Sequence, residues 1–452
     1  RAGIQGELAG RHENRIDIRT RFTAPLFGDR SWKTWSGELY LGADNLDVAR
    51  LTRPIPDARK LLKSGRGSTR TWLKFQDGTP SELTSYLGLS DVLLTFSPDS
   101  EPLQVKTLST RLTETFTEGE LHAKAENLDF ELSDGTEAHD LLLQTVVHTT
   151  ATPDAETHRS GFSIARLDVE TLKKLLPSVP FPKSAADLIH QHEASGTISN
   201  FEVSWLGSPG KTQDWRIKTD FSGLTVAHNS PKNEKVFFSG VENLSGSLEV
   251  AAKRGRVAFA TQKGAVSIPG VFENPRLPLD SLTGAVSWQL SRASETDNEK
   301  VAITFDNVAV SNEDLSVSAQ GSWQQNDTAA GHINLTGHIE HLQANRAWRY
   351  MPLAVSGNVR EWLQGGLVSG QAQNGTFELR GDLVKYPWVG PNKDKGHFIV
   401  SAELKDAAID YVPSMKVLED GNFERAALWP LLTDIQGRLI FEGASMTVLA
   451  DS

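Results

Sequence analysis

Apolar and polar residues alternate along most of the chain, with the period of a β-strand that has two unlike faces. In residues 244–250, every second position is apolar or glycine and the positions between are polar. The same alternation recurs in residues 301–305, 315–323, 333–339, 398–404 and 435–441. Such segments are typical of antiparallel sheets that have one apolar and one solvated face.

Turns and short helices interrupt this pattern. Lys253-Arg254-Gly255, Pro269-Gly270 and Asn374-Gly375 predict turns between strands. Helical spacing is confined to four short segments, which are residues 168–176 before Pro177, 184–192 with Ser184 as a possible N-cap, 345–350 before Pro352, and 358–364 before Gly365-Gly366. Helices this short need packing against the rest of the protein to persist.

Two copies of one larger unit contain these helices. Residues 164–207 and 339–381 both read strand, turn of helix, proline, helix, Ser-Gly and strand, and Pro352 follows Pro177 by 175 residues. A looser third trace runs from residue 46 to residue 78. Self-similarity at a fixed spacing is typical of repeating architectures. We therefore predict a β segment at 1–160, a repeat unit at 161–335 and a second, truncated copy at 336–452.

Composition narrows the class of protein. The 452 residues include no cysteine and carry a formal net charge of −11. Lack of cysteine excludes disulfides and cysteine nucleophiles, and an acidic chain without a basic stripe is not expected to bind nucleic acid. The chain contains no run of 18 apolar residues, so the sequence predicts no membrane-spanning helix. Because the chain begins with Arg1 rather than Met, we expect a fragment or a processed product.

Candidate chemistry is sparse. His190 and His192 would point apart on a helix, although a strand would bring them to one side, and the histidines 332, 338 and 341 fit a structural role in a strand. Gly65-Arg66-Gly67-Ser68 lacks the lysine ending of a phosphate loop, and no Gly-Xaa-Ser-Xaa-Gly sequence is present. The sequence therefore predicts no catalytic residue, no metal site, no cofactor and no enzyme activity.

The alternation instead predicts one continuous apolar face. Its candidate lining residues are Leu244, Leu248, Val250, Val257, Phe259, Val286, Trp288, Val301, Ile303, Phe305, Leu315, Val317, Ile333, Leu335, Phe377, Leu379, Phe398, Val400, Leu439 and Phe441. Period two establishes a two-faced sheet, and it leaves open whether the apolar face is covered.

At three places the chain resembles the AsmA-like superfamily, and within it the YhdP-type proteins of Gram-negative bacteria. These places are the repeated helix, proline, helix and Ser-Gly unit, the Gly65-Arg66-Gly67 segment leading into residues 72–75, and Trp429-Pro430 before residues 435–439. The resemblance implies a mainly β fold, in which an elongated, curved antiparallel sheet forms a repeating groove with a few short helices. It also implies a periplasmic protein anchored in the inner membrane, with the anchor and the end near the outer membrane outside this sequence.

On this interpretation, the groove binds phospholipid acyl chains and helps to transport phospholipid between the inner and outer membranes. Envelope proteins are possible further partners. Two alternatives remain, a non-catalytic β-rich module for adhesion or polysaccharide binding and a structural spacer of the envelope. Burying one methylene is worth about 0.8 kcal/mol, so two acyl chains of roughly 15 methylenes hold on the order of 25 kcal/mol. An apolar trough would keep that surface out of water.

Overall fold

The chain divides into two compact units, residues 1–220 (unit 1) and 221–452 (unit 2). The computed structural model describes residues 16–25, 27, 31–51, 61–96, 100–117, 120–148, 159–179, 192–206, 214–228, 240–292, 299–326, 330–353, 355, 357–386, 388, 390–417, 423–426, 429–443 and 445–451. The segment boundaries predicted at 160/161 and 335/336 are placed by the sequence repeat, whereas these two units are defined by compactness. The predicted boundaries therefore stay a prediction.

Unit 1 is an antiparallel meander. Its elements are β1 (Ile16–Thr23), the 3-10 helix η1 (Trp32–Thr34), β2 (Ser36–Asp47), α1 (Val48–Leu51), β3 (Leu62–Gln76), β4 (Thr79–Leu94), β5 (Leu103–Thr117), β6 (Glu120–Leu132), β7 (Glu137–His148), β8 (Arg159–Asp168), α2 (Val169–Leu175) and β9 (His192–Leu206). Each strand from β1 to β9 pairs with the next one in sequence. Strand β10 (Asp214–His228) crosses the division between the units.

Unit 2 repeats this plan. Its elements are β11 (Gly240–Ala251), β12 (Arg254–Ser267), β13 (Arg276–Ser291), β14 (Lys300–Ser311), β15 (Leu315–Gln324), β16 (His332–Gln343), η2 (Ala344–Tyr350), α3 (Gly357–Gly366), β17 (Leu367–Asp382), η3 (Leu383–Lys385), η4 (Gly390–Lys395), β18 (Gly396–Ile409), β19 (Ser414–Val417), β20 (Phe423–Ala426), β21 (Leu432–Glu442) and β22 (Ser445–Ala450). Consecutive strands pair from β11 to β18, then β18 pairs with β21 and β21 with β22. Strands β19 and β20 form a separate hairpin.

The prediction of a mainly β, antiparallel fold with few short helices is confirmed, because strand makes up 73% of the described residues. The helix predicted at 168–176 is α2, and the one at 358–364 is α3. The segment at 345–350 forms the 3-10 helix η2. The helix predicted at 184–192 lies outside the described residues, apart from His192, which begins β9.

The repeated unit reappears as a repeated order of elements. Strand β8, helix α2 and strand β9 occupy the first copy, and β16, η2, α3 and β17 occupy the second. The looser trace at 46–78 places α1 between β2 and β3 in the same way. Each of these three insertions therefore follows an even-numbered strand. Because the strands alternate in direction, each insertion lies at the same end of its unit's strands as the other connections from an even-numbered to an odd-numbered strand.

Among the described residues, eleven strands contain a residue other than glycine with a positive φ, and ten of these eleven residues are Asn or Asp. In unit 1 these include Asn45, Asp91, Asn127, Asp140 and Asn200, and in unit 2 Asn243, Lys263, Asn307, Asn374, Asp406 and Asp434. Several sit at register shifts, where one strand contains an extra residue. Asn and Asp tolerate this left-handed conformation better than other side chains. These β-bulges bend the strands and sharpen their twist.

Several bulges coincide with two consecutive polar residues, such as Asp306-Asn307 and Lys405-Asp406, that break the alternation in the sequence. The extra residue of the bulge lets both polar side chains face solvent and returns the next apolar side chain to the apolar face. The turn predicted at Asn374-Gly375 is wrong for this reason, because both residues lie inside β17 at such a bulge. The turns at Lys253 and at Pro269-Gly270 are confirmed.

Replacing a bulge residue by a β-branched one should destabilise unit 2. Asn307 has a φ of 46°, and a left-handed conformation costs about 1–2 kcal/mol for residues other than glycine, asparagine and aspartate. We expect Asn307→Val to lower the free energy of unfolding by about this amount, measured by denaturant titration. Asn307→Gly is the matched control and should unfold close to the parent. Equal losses in both variants would show that the bulge conformation does not limit stability.

Candidate functional site

The pairing registers of unit 2 bring the predicted lining residues together on one face, which we call the unit 2 apolar face. One row across the strands is Leu248, Val257, Val286, Phe305, Gly321, Leu335, Leu379 and Phe398. The next row includes Gly255, Trp288, Ile303, Trp323, Ile333, Gly381 and Gly396. On the other side of the first row lie Ala319, Gly337, Phe377, Val400, Phe441 and Met446.

Most of this face remains accessible to solvent. Every predicted lining residue is half-buried except three, and these three, Leu244, Leu315 and Leu439, are 5%, 7% and 8% exposed. The opposite face is polar, with one row that reads Glu249, Arg256, Ser287, Thr304, Ser322, Asn334, Arg380 and His397. A sandwich would cover the apolar face with a second layer, whereas here it is open over most of its rows.

Glycines on the apolar face are covered by aromatic rings from neighbouring strands. A Cβ added at Gly337 would lie 2.3 Å from the Phe377 ring, and one at Gly255 would lie 2.1 Å from the Trp288 ring. Each ring therefore lies flat over the neighbouring backbone, an arrangement that compensates for a missing side chain in a sheet. The position of the missing Gly337 side chain is therefore filled by the Phe377 ring and is not an empty space on the apolar face.

The helical insertion of unit 2 covers one end of the apolar face. Ala344 and Ala347 of η2 and Leu363 of α3 join a buried cluster with sheet residues. The sheet residues of that cluster are Leu367, Ala372, Ala402, Leu404, Ala407, Ile409, Ile435 and Leu439. The short helices thus cap the ends of β17, β18 and β21 and leave the middle rows open.

Polar contacts attach this insertion to two hairpin connections of the sheet. The Tyr350 hydroxyl donates to Asp314 Oδ2 over 3.0 Å and accepts from Asn312 Nδ2 over 3.1 Å, while Arg349 donates to the same Asp314 oxygen over 3.1 Å. Burial, reinforced by the hydrogen bond to Asp314, raises the pKa of Tyr350 to about 12. On α3, Arg360 pairs with Glu273 of the β12–β13 connection at 3.3 Å.

Removing the charge of Asp314 should loosen the insertion. Its carboxylate is buried and shared by Tyr350 and Arg349, so Asp314→Asn should cost about 1–3 kcal/mol of stability. Trypsin should also cleave faster at Arg346, Arg349 or Arg360, measured by mass spectrometry. Glu313→Gln, at the exposed neighbouring position, is the control. If both variants are cleaved at the parent rate, the carboxylate does not hold the insertion.

The equivalent face of unit 1 is less uniformly apolar. One row reads Leu39, Leu73, Leu83, Glu114 and Ala123. The next contains a chain of hydroxyls, in which Thr71 Oγ1 lies 2.8 Å from Thr69 Oγ1 and 2.9 Å from Ser85 Oγ. Burial raises the pKa of the Glu114 carboxyl. The sequence does contain this signal, because Glu114 has the same parity in β5 as Leu112 and Phe116 and is therefore placed on the apolar side by the alternation.

Helix α2 covers one end of the unit 1 apolar face, as the insertion does in unit 2. Leu175 packs on the buried cluster of Val92, Val105 and Leu132. Lys174 forms an ion pair of 3.2 Å with Asp134 in the β6–β7 connection. The backbone N–H of Glu101, in the β4–β5 connection, donates to the carbonyl of Pro177 over 3.0 Å.

Glu114 should make the stability of unit 1 depend on pH. A glutamate in the unfolded chain titrates near its ordinary pKa of 4.5, and the pKa in the folded protein lies above that value. The charged form is therefore disfavoured by folding, so the contribution of Glu114 to stability is most favourable below pH 4.5 and is lost as pH rises through the folded pKa. We expect Glu114→Gln to raise the Tm by a few degrees at pH 7.5 and to leave it unchanged at pH 4.

The control for this titration is Glu38→Gln, on the exposed face of β2. Its Tm difference from the parent should stay the same at both pH values. A Glu114→Gln difference that is also independent of pH would contradict the assignment of the penalty to the buried carboxylate.

The polar face of unit 1 carries an aromatic ladder. Tyr40 and Trp72 have ring centroids 5.1 Å apart, and Trp72 and Tyr86 are 5.9 Å apart in an edge-to-face arrangement. The guanidinium of Arg19 lies over the Tyr40 ring, and that of Arg111 lies over the Tyr86 ring. These cation–π contacts occupy ring faces on which a sugar would stack. The ladder thus fits cross-strand stabilisation better than polysaccharide binding.

The residues considered for catalysis or metal binding do not form a common site in the described part of the chain. His332 and His338 lie on the polar face of β16, and Gly65-Arg66-Gly67 is part of strand β3 rather than a phosphate loop. Within the described residues, no group of three potential ligands could hold a metal ion. His190 and the side chain of His192 lie outside those residues. Their proposed roles stay predictions.

The fold and the site define a mainly β protein built from antiparallel meanders. One face of the sheet is apolar and largely uncovered, and short helices cover one end of it. A family profile described as "YhdP protein" matches residues 1–452. The chain belongs to the YhdP family, as its AsmA-like resemblance predicts. No curated protein and no solved structure matched it.

Family membership indicates a function related to lipid transport in the cell envelope, and the family is not known as enzymatic. Among the described helices, none is both long enough and apolar enough to cross a membrane.

Proposed function

We propose that the unit 2 apolar face binds phospholipid acyl chains and conducts them, as part of a periplasmic protein anchored in the inner membrane of a Gram-negative bacterium. The chains travel along the rows while the headgroup stays in water, and the transport connects the inner and outer membranes. The observation that carries this proposal is the row from Leu248 to Phe398, which crosses eight strands and stays partly exposed to solvent.

The energetics support this use of the face. Eight strands spaced about 4.8 Å apart extend the row over roughly 34 Å. Contiguous exposed apolar surface of this kind is uncommon unless it binds something. Each methylene that moves from water onto such a surface gains about 0.8 kcal/mol, so an acyl chain is a favourable occupant. The rows continue from strand to strand, which lets a chain slide without leaving the apolar surface.

The structural spacer is the alternative that the experiment must separate. A spacer needs the strands and their pairing, but it does not need the apolar face to be dry and open. Neighbouring residues of one strand face opposite sides of the sheet. The proposal therefore requires lipid to contact the side chains of the apolar face and not those of the residues between them, a difference that we call side-chain parity.

Photocrosslinking tests parity directly. A photoreactive amino acid at Val286 or Leu335 should label bound phospholipid about tenfold more than one at Ser287 or Asn334, measured by mass spectrometry of the adducts. Leu335→Asp should then abolish lipid transport in cells, while the matched variant Asn334→Asp should leave it intact. Circular dichroism confirms that both variants fold. Equal labelling at both parities, or normal transport in a folded Leu335→Asp variant, would exclude the conduit and favour the spacer.

A further inference from the structure

A group of basic side chains surrounds a shallow cavity of about 340 Å³ at the edge of unit 2 that lies opposite the helical insertion. Five basic residues line it, which are His332, Arg380, Lys393, Lys395 and His397. Asp394 is the one carboxylate among the described lining residues. In a chain with a net charge of −11, such a local excess of cations is unusual and needs a physical explanation.

Strand register brings together three members of the group from three neighbouring strands. Arg380 on β17 lies directly opposite His397 on β18, and His332 begins the neighbouring strand β16. Directly paired residues have Cβ atoms about 4.5–5.5 Å apart. Helix η4 ends at Lys395, immediately before β18, and thereby brings Lys393 and Lys395 to the same edge.

The floor of the cavity is fixed in position. Gly381 and Gly396 pair across β17 and β18, and the ring of Trp388 lies against Gly396, where an added Cβ would meet it at 2.1 Å. Trp388 is buried, and its Nε1 donates to the carbonyl of Asp382 over 2.8 Å. The basic side chains therefore surround backbone that is already held in place, so a bound ligand orders side chains but not the backbone.

These cations differ from most others of unit 2 because they have no carboxylate partner. Arg256 pairs with Asp306 at 2.9 Å and Arg276 with Glu242 at 2.7 Å. In the part of the chain that the structure describes, no ion pair engages Arg380, Lys393 or Lys395. The nearby carboxylate of Asp382 accepts the backbone N–H of Val384 over 3.0 Å. Unpaired like charges held close together repel one another, and an anion relieves that repulsion.

We infer that this cavity is a binding site for a phosphate group, carried by a small phosphate ester or by a lipid headgroup. The Arg380 guanidinium supplies the planar pair of donors that matches two phosphate oxygens, and the lysines supply compact positive charges. The backbone of Gly381 and Gly396 belongs to the row that contains Ile333 on the unit 2 apolar face. Arg380 and His397 themselves belong to the polar row, so a phosphate group held here lies on the polar face of the sheet. Phosphate binding itself does not rest on the acyl-chain proposal.

Isothermal titration calorimetry of the whole chain at neutral pH and about 0.15 M salt tests the site. The probes are inorganic phosphate, glycerophosphoglycerol, and dihexanoyl phosphatidylglycerol below its micelle concentration. We expect phosphate-dependent binding that weakens about tenfold or more in Arg380→Gln and in the double variant Lys393→Gln/Lys395→Gln. The double variant changes only exposed side chains of η4, so it keeps the test valid if Arg380→Gln folds poorly.

Arg256→Gln is the matched control, because Arg256 lies in the same polar row as Arg380 but has a carboxylate partner. It should bind all three probes as the parent does. Short-chain lipid that binds about tenfold more tightly than its free headgroup identifies a lipid site, and equal affinity identifies a site for free phosphate esters. Absence of binding up to about 10 mM, or an equal loss in Arg256→Gln, overturns the proposal.

Discussion

The register of the antiparallel strands is the constraint on which the rest of the structure depends. Side chains alternate between faces, so a shift of one residue would exchange the apolar and polar sides of a strand. The left-handed Asn and Asp residues, such as Asn307 and Asp406, absorb the extra residue where the sequence places two polar residues in succession. The apolar side chains therefore stay on one side along the whole strand, both before and after the bend.

The apolar face is covered only where a helical insertion between two strands packs against it. In unit 2 the η2–α3 insertion buries Leu439 and its neighbours, and contacts at Asp314 and Glu273 attach it to two connections of the sheet. In unit 1, α2 uses Lys174 for the same purpose. Because each insertion reaches only one end of the face, the middle rows stay partly exposed, and this open surface is what suits an acyl chain.

The two faces of unit 2 support complementary chemistry. The apolar rows offer hydrophobic contact without fixed hydrogen bonds, which suits a ligand that moves. The cavity at Arg380 offers unpaired positive charge on backbone held by Trp388, which suits a ligand that is recognised. Unit 1 differs, because Glu114 and the hydroxyls of Thr69, Thr71 and Ser85 place polar groups within its apolar face. An apolar ligand would meet a different environment there.

The sequence by itself determined the strands, their two faces and three of the four predicted helices, because alternation and helix-stop residues are local signals. It also placed residues such as Val286 and Leu335 on one side, since parity along a strand is local. Only the tertiary structure decided which strands pair, where the insertions lie, and that Arg380 meets His397 and the η4 lysines. Those contacts join residues of different elements, and no periodicity within one segment can reveal them. The turn expected at Asn374-Gly375 became a bulge for the same reason, because the residues on both sides of it pair with the two neighbouring strands.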